Sequence, residues 1–196
     1  DQGAPGSYLV IQGSTNFAAG GTVLDRQTNT ADVVVMGASY VRLADLRLRG
    51  GRYGLYVSKN FSYGEYDRVI SVSNTYGFYE LPNTYSRFTQ CAAAKNSYGC
   101  RVDISRSQWD RGVSWSNGVA FQLDFNANAI TVSNSVIVGG AVFGGTGISG
   151  FGDYNIFWGT EISNGYLNLN ELQRAKDSWW HSTYADPKFA NPAGLD

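Results

Sequence analysis

Apolar and polar residues alternate in short bursts along this chain, and the bursts themselves recur. Ile70/Val72, Ala92/Ala94 and Val113/Trp115 alternate with Ser71, Ala93 and Ser114. An asparagine follows each burst: Asn74, then Asn96 after 22 residues, then Asn117 after a further 21. Three positions beyond stand Gly77, Gly99 and Ala120, and next to them Phe78, Cys100 and Phe121, with Gly54 and Leu55 as equivalents one unit earlier. "NSVIVGG" at 134–140 extends the series with Val136 and Val138. A period of two nested inside a period of 21–23 predicts several short strands per repeat, not helices.

A unit this short cannot bury its own apolar face, so it must stack on its neighbours as solenoid repeats do. Helical repeats are longer and carry a 3.6-residue pattern. Leucine-rich repeats need leucines where this chain has Val, Ala, Ser and aromatics. A parallel β-helix fits: an all-β solenoid of about six coils, with equivalent residues roughly 4.8 Å apart on neighbouring strands. Tyr-Gly at residues 53–54, 76–77 and 98–99 is then expected at a corner, with Gly in a turn conformation that a side chain would oppose. The following residue enters the core, and the asparagines stack as a hydrogen-bonded ladder.

The expected organisation is a single domain over 1–196. Residues 1–39 form irregular first coils, 40–160 regular coils, and 161–196 a short C-terminal helix and aromatic cap. Asn168 with Glu171 three positions on predicts the start of that helix. "DSWWHSTYADPKFANP" suits a lid over the last coil, with His181 packed among Trp179, Trp180 and Tyr184. "GGAVFGGTGISGFG" lacks phosphate-loop spacing and reads as a mobile loop leaving the wall.

Composition narrows the function classes. Fifteen basic residues face sixteen acidic ones, which argues against nucleic acid as a partner. No apolar run approaches the ~18 residues of a membrane span. One histidine makes a zinc site implausible. A first residue Asp1 without Met is expected of a processed mature protein or an excised piece of a longer one. Cys91 and Cys100 allow two readings: one disulfide, suiting secretion, or two small buried thiols.

"GASYVRLADLRLRGGRYGLYV", "VSNSVIVGG", "DYNIFWG", "LNELQRAKDSWWHS" and "ADPKFANPAGLD" together resemble the secreted right-handed parallel β-helix proteins of the pectate-lyase-like superfamily, over roughly residues 20–196. The resemblance implies a right-handed coil and a secreted or cell-surface location. It spans lyases, glycoside hydrolases, epimerases, adhesins and structural proteins, so it names no activity.

Past the Tyr-Gly corner, alternation turns Tyr56, Tyr79, Arg101 and Gln122 outward, with Asp103 and Asp124 two residues beyond the last two. Asp103 and Asp124 are 21 residues apart, one coil, so their carboxylates are expected side by side. Such a pair shares a proton or holds Ca²⁺. The resemblance implies a metal or acid–base role for such acids, with Arg101 or Lys95 as basic partner and Arg106 nearby. Tyr53, Tyr56, Tyr76, Tyr79 and Tyr98 form a row suited to sugar rings or to another subunit. Asp45, Asp67 and Asp110, each close to an arginine (Arg47, Arg68, Arg111), allow two readings: surface ion pairs, which the Asp-Arg alternation favours, or, for Asp67 and Asp110 two coils and roughly 10 Å apart, an inverting carboxylate pair. Register turns Glu80 inward, and because a lone buried carboxylate is costly the strand is expected to end before it.

Two functions follow. One is a carbohydrate-active or carbohydrate-binding module for an acidic polysaccharide, a lyase or glycoside hydrolase type if enzymatic, in which Ca²⁺ assists β-elimination. The other is a non-catalytic structural or adhesive module that meets itself or neighbouring subunits.

Overall fold

In each lap after the first, two corners are marked by residues at positive φ. In the computed structural model, which describes residues 2–16, 21–58, 60–82, 84–103, 106–123, 130–144, 151–161, 168–176 and 179–188, these laps stack into a parallel β-solenoid of about six turns. The first lap holds β1 (Leu9–Gln12), β2 (Thr22–Asp25) and β3 (Val34–Met36). The second holds β4 (Val41–Ala44), β5 (Leu46–Arg49) and β6 (Tyr53–Val57). Next come β7 (Gly64–Asp67), β8 (Ile70–Val72) and β9 (Tyr76–Glu80), then β10 (Ser86–Thr89), β11 (Ala92–Ala94) and β12 (Tyr98–Val102). They are followed by β13 (Gln108–Asp110), β14 (Val113–Trp115) and β15 (Val119–Leu123). The last laps carry β16 (Thr131–Ser133), β17 (Val136–Gly144), β18 (Phe151–Asp153) and β19 (Ile156–Glu161). The helix α1 (Leu169–Lys176) and the short β20 (Thr183–Tyr184) close the described chain.

Every strand pairing is parallel, and three walls result. The first wall is the seven-stranded sheet β1-β4-β7-β10-β13-β16-β18. The second and third walls join through β17, which runs on around the corner between them. Corners after the first wall place Asp45, Arg68, Gln90, Arg111, Asn134 and Tyr154 at positive φ, and corners before the third wall do the same for Ser73, Lys95 and Ser116. The corner therefore precedes Tyr-Gly, contrary to expectation. Gly77 and Gly99 lie inside strands and do not adopt positive φ. They are glycines because the stacked neighbour comes too close: a Cβ on Gly99 would sit 2.7 Å from the Ala120 carbonyl and 3.0 Å from the Asn117 amide nitrogen.

The asparagine ladder is present. Oδ1 of Asn96 accepts the Asn74 N–H and Oδ1 of Asn117 accepts the Asn96 N–H, both at 2.9 Å. The carboxamides reach into the interior, so the inward second-wall residues beside them, Ser71, Ala93 and Ser114, are small. Ser71 and Ser114 accept from Asn74 and Asn117 at 3.0 and 2.9 Å. The bulk comes from the other two walls, where Phe78, Phe88, Trp109 and Phe121 meet edge to face at 5.2–5.7 Å across the lumen.

Four expectations change. Strand β9 includes Glu80, which is fully buried in the column Val57, Glu80, Val102; one of its carboxyl oxygens accepts the Ser107 hydroxyl. No disulfide forms: Cys91 and Cys100 are buried free thiols. Cys91 sits at the corner before β11, where its S–H reaches the Tyr66 carbonyl at 3.2 Å, whereas Cys100 packs in the third-wall column between Phe78 and Phe121. Burial raises both thiols, Cys91 to about 12. The first part of the Gly-rich segment is strand β17, paired with β14 and β15, and residues 145–150 lie outside the described residues. His181 is exposed on the surface and not packed in the cap. The helix begins where Asn168 predicts, with Oδ1 of Asn168 accepting the Glu171 N–H at 3.1 Å. Among the described residues, no helix is long and apolar enough to cross a membrane.

Candidate functional site

Two outward faces carry chemistry. On the third wall, the ladder register stacks Tyr53, Tyr76 and Tyr98 in one column and Tyr56, Tyr79, Arg101 and Gln122 in the next. Strand spacing then packs the rings against one another, with centroids 4.8–5.6 Å apart. Their faces are mutually occupied, so the wall presents ring edges and hydroxyls to solvent. The guanidinium of Arg101 lies over Tyr79 at 4.8 Å and over Tyr76 at 5.6 Å. Asp103 completes the cluster: the Tyr79 hydroxyl donates to it at 3.1 Å and Arg101 lies 3.8 Å away. Burial first, and the Asp103 charge second, raise the Tyr79 hydroxyl well above its ordinary value.

The structure thus brings together Tyr56, Tyr79, Arg101, Gln122 and Asp103. Asp124 lies outside the described residues. Lys95 occupies the left-handed corner before Asn96, exposed, on a different segment of the lap from Arg101. Among the described residues, no group of three His, Cys, Asp or Glu side chains converges as a metal site.

The second face is the outside of the first wall, which the residue pattern could have revealed. Arg42, Glu65, Arg87 and Gln108 follow one another by register at spacings of 23, 22 and 21, the same period as the asparagines. Beside them a groove of about 360 Å³ is lined by Arg42, Glu65, Asp67, Arg68, Arg87 and Arg111, among others. Three of its guanidiniums are paired: Arg42 with Asp67 at 3.0 Å, Arg68 with Asp45 at 2.6 Å and Asp67 at 2.5 Å, and Arg111 with Asp110 at 3.0 Å. The expected ion pairs exist, but Asp45 takes Arg68 from the next lap and not Arg47. Glu65 is met by the Tyr8 hydroxyl, which burial and that carboxylate raise. Arg87 is exposed and has no carboxylate partner among the described residues.

A tyrosine ladder stands at the start of the same wall, outside the groove lining. Tyr40, Tyr63 and Tyr85 stack at 4.9 and 5.7 Å, within 12° of parallel. Tyr85 precedes Arg87 by two residues on the same side, with the buried Ser86 between them. Comparison with family models, with curated proteins and with solved structures gives no match. The parallel β-solenoid is therefore the class the fold defines, and its function has to be argued from these faces.

Proposed function

We propose that this solenoid binds an acidic polysaccharide along the outside of its first wall, from a secreted or cell-surface location. One observation carries the reading: Arg87, a guanidinium without a carboxylate partner among the described residues, in a groove whose other arginines are held by carboxylates. A guanidinium matches a carboxylate with two parallel hydrogen bonds, and the Tyr63–Tyr85 ladder beside it gives apolar edge for a sugar ring. Arg101 is less suited to act as a base, because its guanidinium lies over Tyr76 and Tyr79 and beside Asp103. We therefore propose binding without cleavage; calcium-assisted elimination at Asp103 and Asp124 would show as unsaturated product, absorbing in the ultraviolet.

Titration calorimetry with polygalacturonate, alginate and an uncharged glucan tests the proposal. The acidic chains bind, more weakly at higher salt, and Arg87→Ala lowers their affinity about tenfold. No heat with any uronate from the folded protein removes the reading.

A second reading, a structural or adhesive module, is favoured by the first lap. Strands β1, β2 and β3 are each paired on one side and expose Leu9, Val10, Ile11, Val23, Leu24 and Val35. Exposed apolar edge strands template pairing with another chain, so concentration-dependent assembly by light scattering, without uronate binding, would favour it.

A further inference from the structure

The groove beside Arg87 carries its charges in an order set by the ladder. Register places Arg42, Glu65, Arg87 and Gln108 in one outward column, one strand spacing apart. Along the solenoid axis that column reads positive, negative, positive, neutral. A second outward column lies two residues on, where the same register stacks Asp67, Thr89 and Asp110. The lap of Arg87 therefore contributes one guanidinium and the neutral Thr89, while the lap on either side presents carboxylates.

These carboxylates are not equivalent. Asp67 is paired with Arg42 at 3.0 Å and with Arg68. Asp110 is paired with Arg111 at 3.0 Å and accepts the Asn134 amide at 2.8 Å. Glu65 is half-buried and met by the Tyr8 hydroxyl, and among the described residues no arginine pairs with it. Arg87 is its direct neighbour in the ladder, yet the two form no ion pair. Glu65 thus stands beside the place where Arg87 would hold a ligand carboxylate, and no cation answers its charge.

The groove is longer along the axis than across it. Its lining draws on four successive laps, from Arg42 to Arg111, about 14 Å at the strand spacing, and within one lap it spans Glu65 to Arg68, about 10 Å. One pyranose unit of a linear chain is close in length to one strand spacing, so successive units face successive laps. A second uronate opposite Glu65 meets a like charge about 5 Å away, whereas an uncharged sugar there donates a hydroxyl to it.

We propose that Glu65 fixes the charge spacing of the ligand: the groove takes a polysaccharide in which a uronate alternates with an uncharged sugar, in preference to an unbroken run of uronates. This rests on the binding function proposed for Arg87 and names the class of acidic chain it serves. Arg87 holds the carboxylate, and Glu65 accepts a hydroxyl or amide N–H from the next unit.

Titration calorimetry of the whole chain with hyaluronan and polygalacturonate oligomers of equal length, at one salt concentration, tests it. Hyaluronan alternates a uronate with an uncharged N-acetylated sugar; polygalacturonate carries a carboxylate on every unit. The wild-type protein should bind hyaluronan more tightly, by about fivefold. Glu65→Gln keeps an acceptor for Tyr8 and should strengthen polygalacturonate binding by a similar factor, narrowing the ratio. Gln108→Glu, at an exposed position on the other side of Arg87, should weaken polygalacturonate binding and widen the ratio. Far-UV circular dichroism confirms that each variant is folded. Wild-type preference for polygalacturonate, or a ratio that neither variant moves, overturns the proposal; if Arg87→Ala still weakens both ligands, the Arg87 reading stands without it. No heat with either ligand removes the Arg87 reading and this one together.

Discussion

The Ser107 hydroxyl donates to the carboxyl group of Glu80 at 2.5 Å, in the interior and 27 residues away along the chain. The other oxygen of Glu80 has no partner, and the hydroxyls of Thr84 and Ser86 close by are equally unmatched. Burial dominates, raising this carboxyl from 4.5 to about 7 against the opposing effect of the neighbouring hydroxyls. The folded protein therefore keeps a proton that the unfolded chain releases near 4.5. The resulting stability is complete below 4.5 and is lost as pH rises through about 7, on the order of 3 kcal/mol in all. Urea unfolding at intervals between pH 4.5 and 8 should show this decline, and Glu80→Gln should flatten it. An equal slope in the variant would assign the pH dependence elsewhere.

The asparagine ladder predicts a stability loss that no surface asparagine shares. Asn96 makes four links: Oδ1 accepts from Asn74, the backbone N–H donates to Asn117, and Nδ2 donates to the Ser71 carbonyl at 3.1 Å and to Asn117 at 3.0 Å. Asn96→Ala leaves the buried Asn74 N–H unmatched and opens a gap, a loss of about 2–4 kcal/mol. Chemical denaturation measures it. A loss near that of an exposed substitution would mean that the ladder is ornament, not support.

Two glycines separate close approach from conformational freedom. A Cβ on Gly77 would collide with the Gly99 carbonyl and lie 2.9 Å from the Asn96 amide nitrogen, yet Gly77 needs no positive φ. Gly37 has its nearest neighbour at 4.0 Å, the ring of Phe61, and no positive φ either. Gly77→Ala should destabilise by about 2 kcal/mol or more, because backbone must move. Gly37→Ala should be neutral or slightly stabilising through the unfolded chain. Melting temperatures of the two variants decide it.

The lap length was legible because it rests on residues that stack like over like: Asn74 on Asn96 on Asn117, and Phe78 beside Cys100 and Phe121. The location of the corner was not, since Ser73, Lys95 and Ser116 take the left-handed conformation without glycine. Glu80 was misjudged because Ser107, the hydroxyl that donates to it, lies 27 residues further along the chain. The tyrosine row was found, but not that its rings would occupy one another's faces. The Arg87 groove was missed although Arg42, Glu65, Arg87 and Gln108 keep the same period, because mixed charge in a column hides the repeat. His181 finds Asp153 across 28 residues, a distance over which a sequence motif carries nothing.

Arg68 and Arg87 share the groove and should fail differently. Arg68 grips Asp45 with Nε at 2.6 Å and Nη2 at 3.0 Å, and Gln12 adds a further bond at 3.0 Å. Its hydrogen bonds are the main cause that holds the Asp45 carboxyl below its ordinary value, against burial. A lowered acid stabilises the fold above its unfolded value of 3.8, and that contribution disappears as pH falls through the lower, folded value. Arg68→Ala strands a carboxylate that is itself covered, although Arg68 is 40% exposed. The loss should be about 2 kcal/mol at neutral pH, less than for a fully buried pair because water screens one partner, and it should shrink in acid. Arg87→Ala removes no ion pair and should leave the melting temperature unchanged while weakening uronate binding. Calorimetry of both variants at pH 7 and in acid, set beside their uronate titrations, checks the contrast. If Arg87→Ala destabilised as much as Arg68→Ala, the free guanidinium would be structural, and the groove would lose its claim on a ligand.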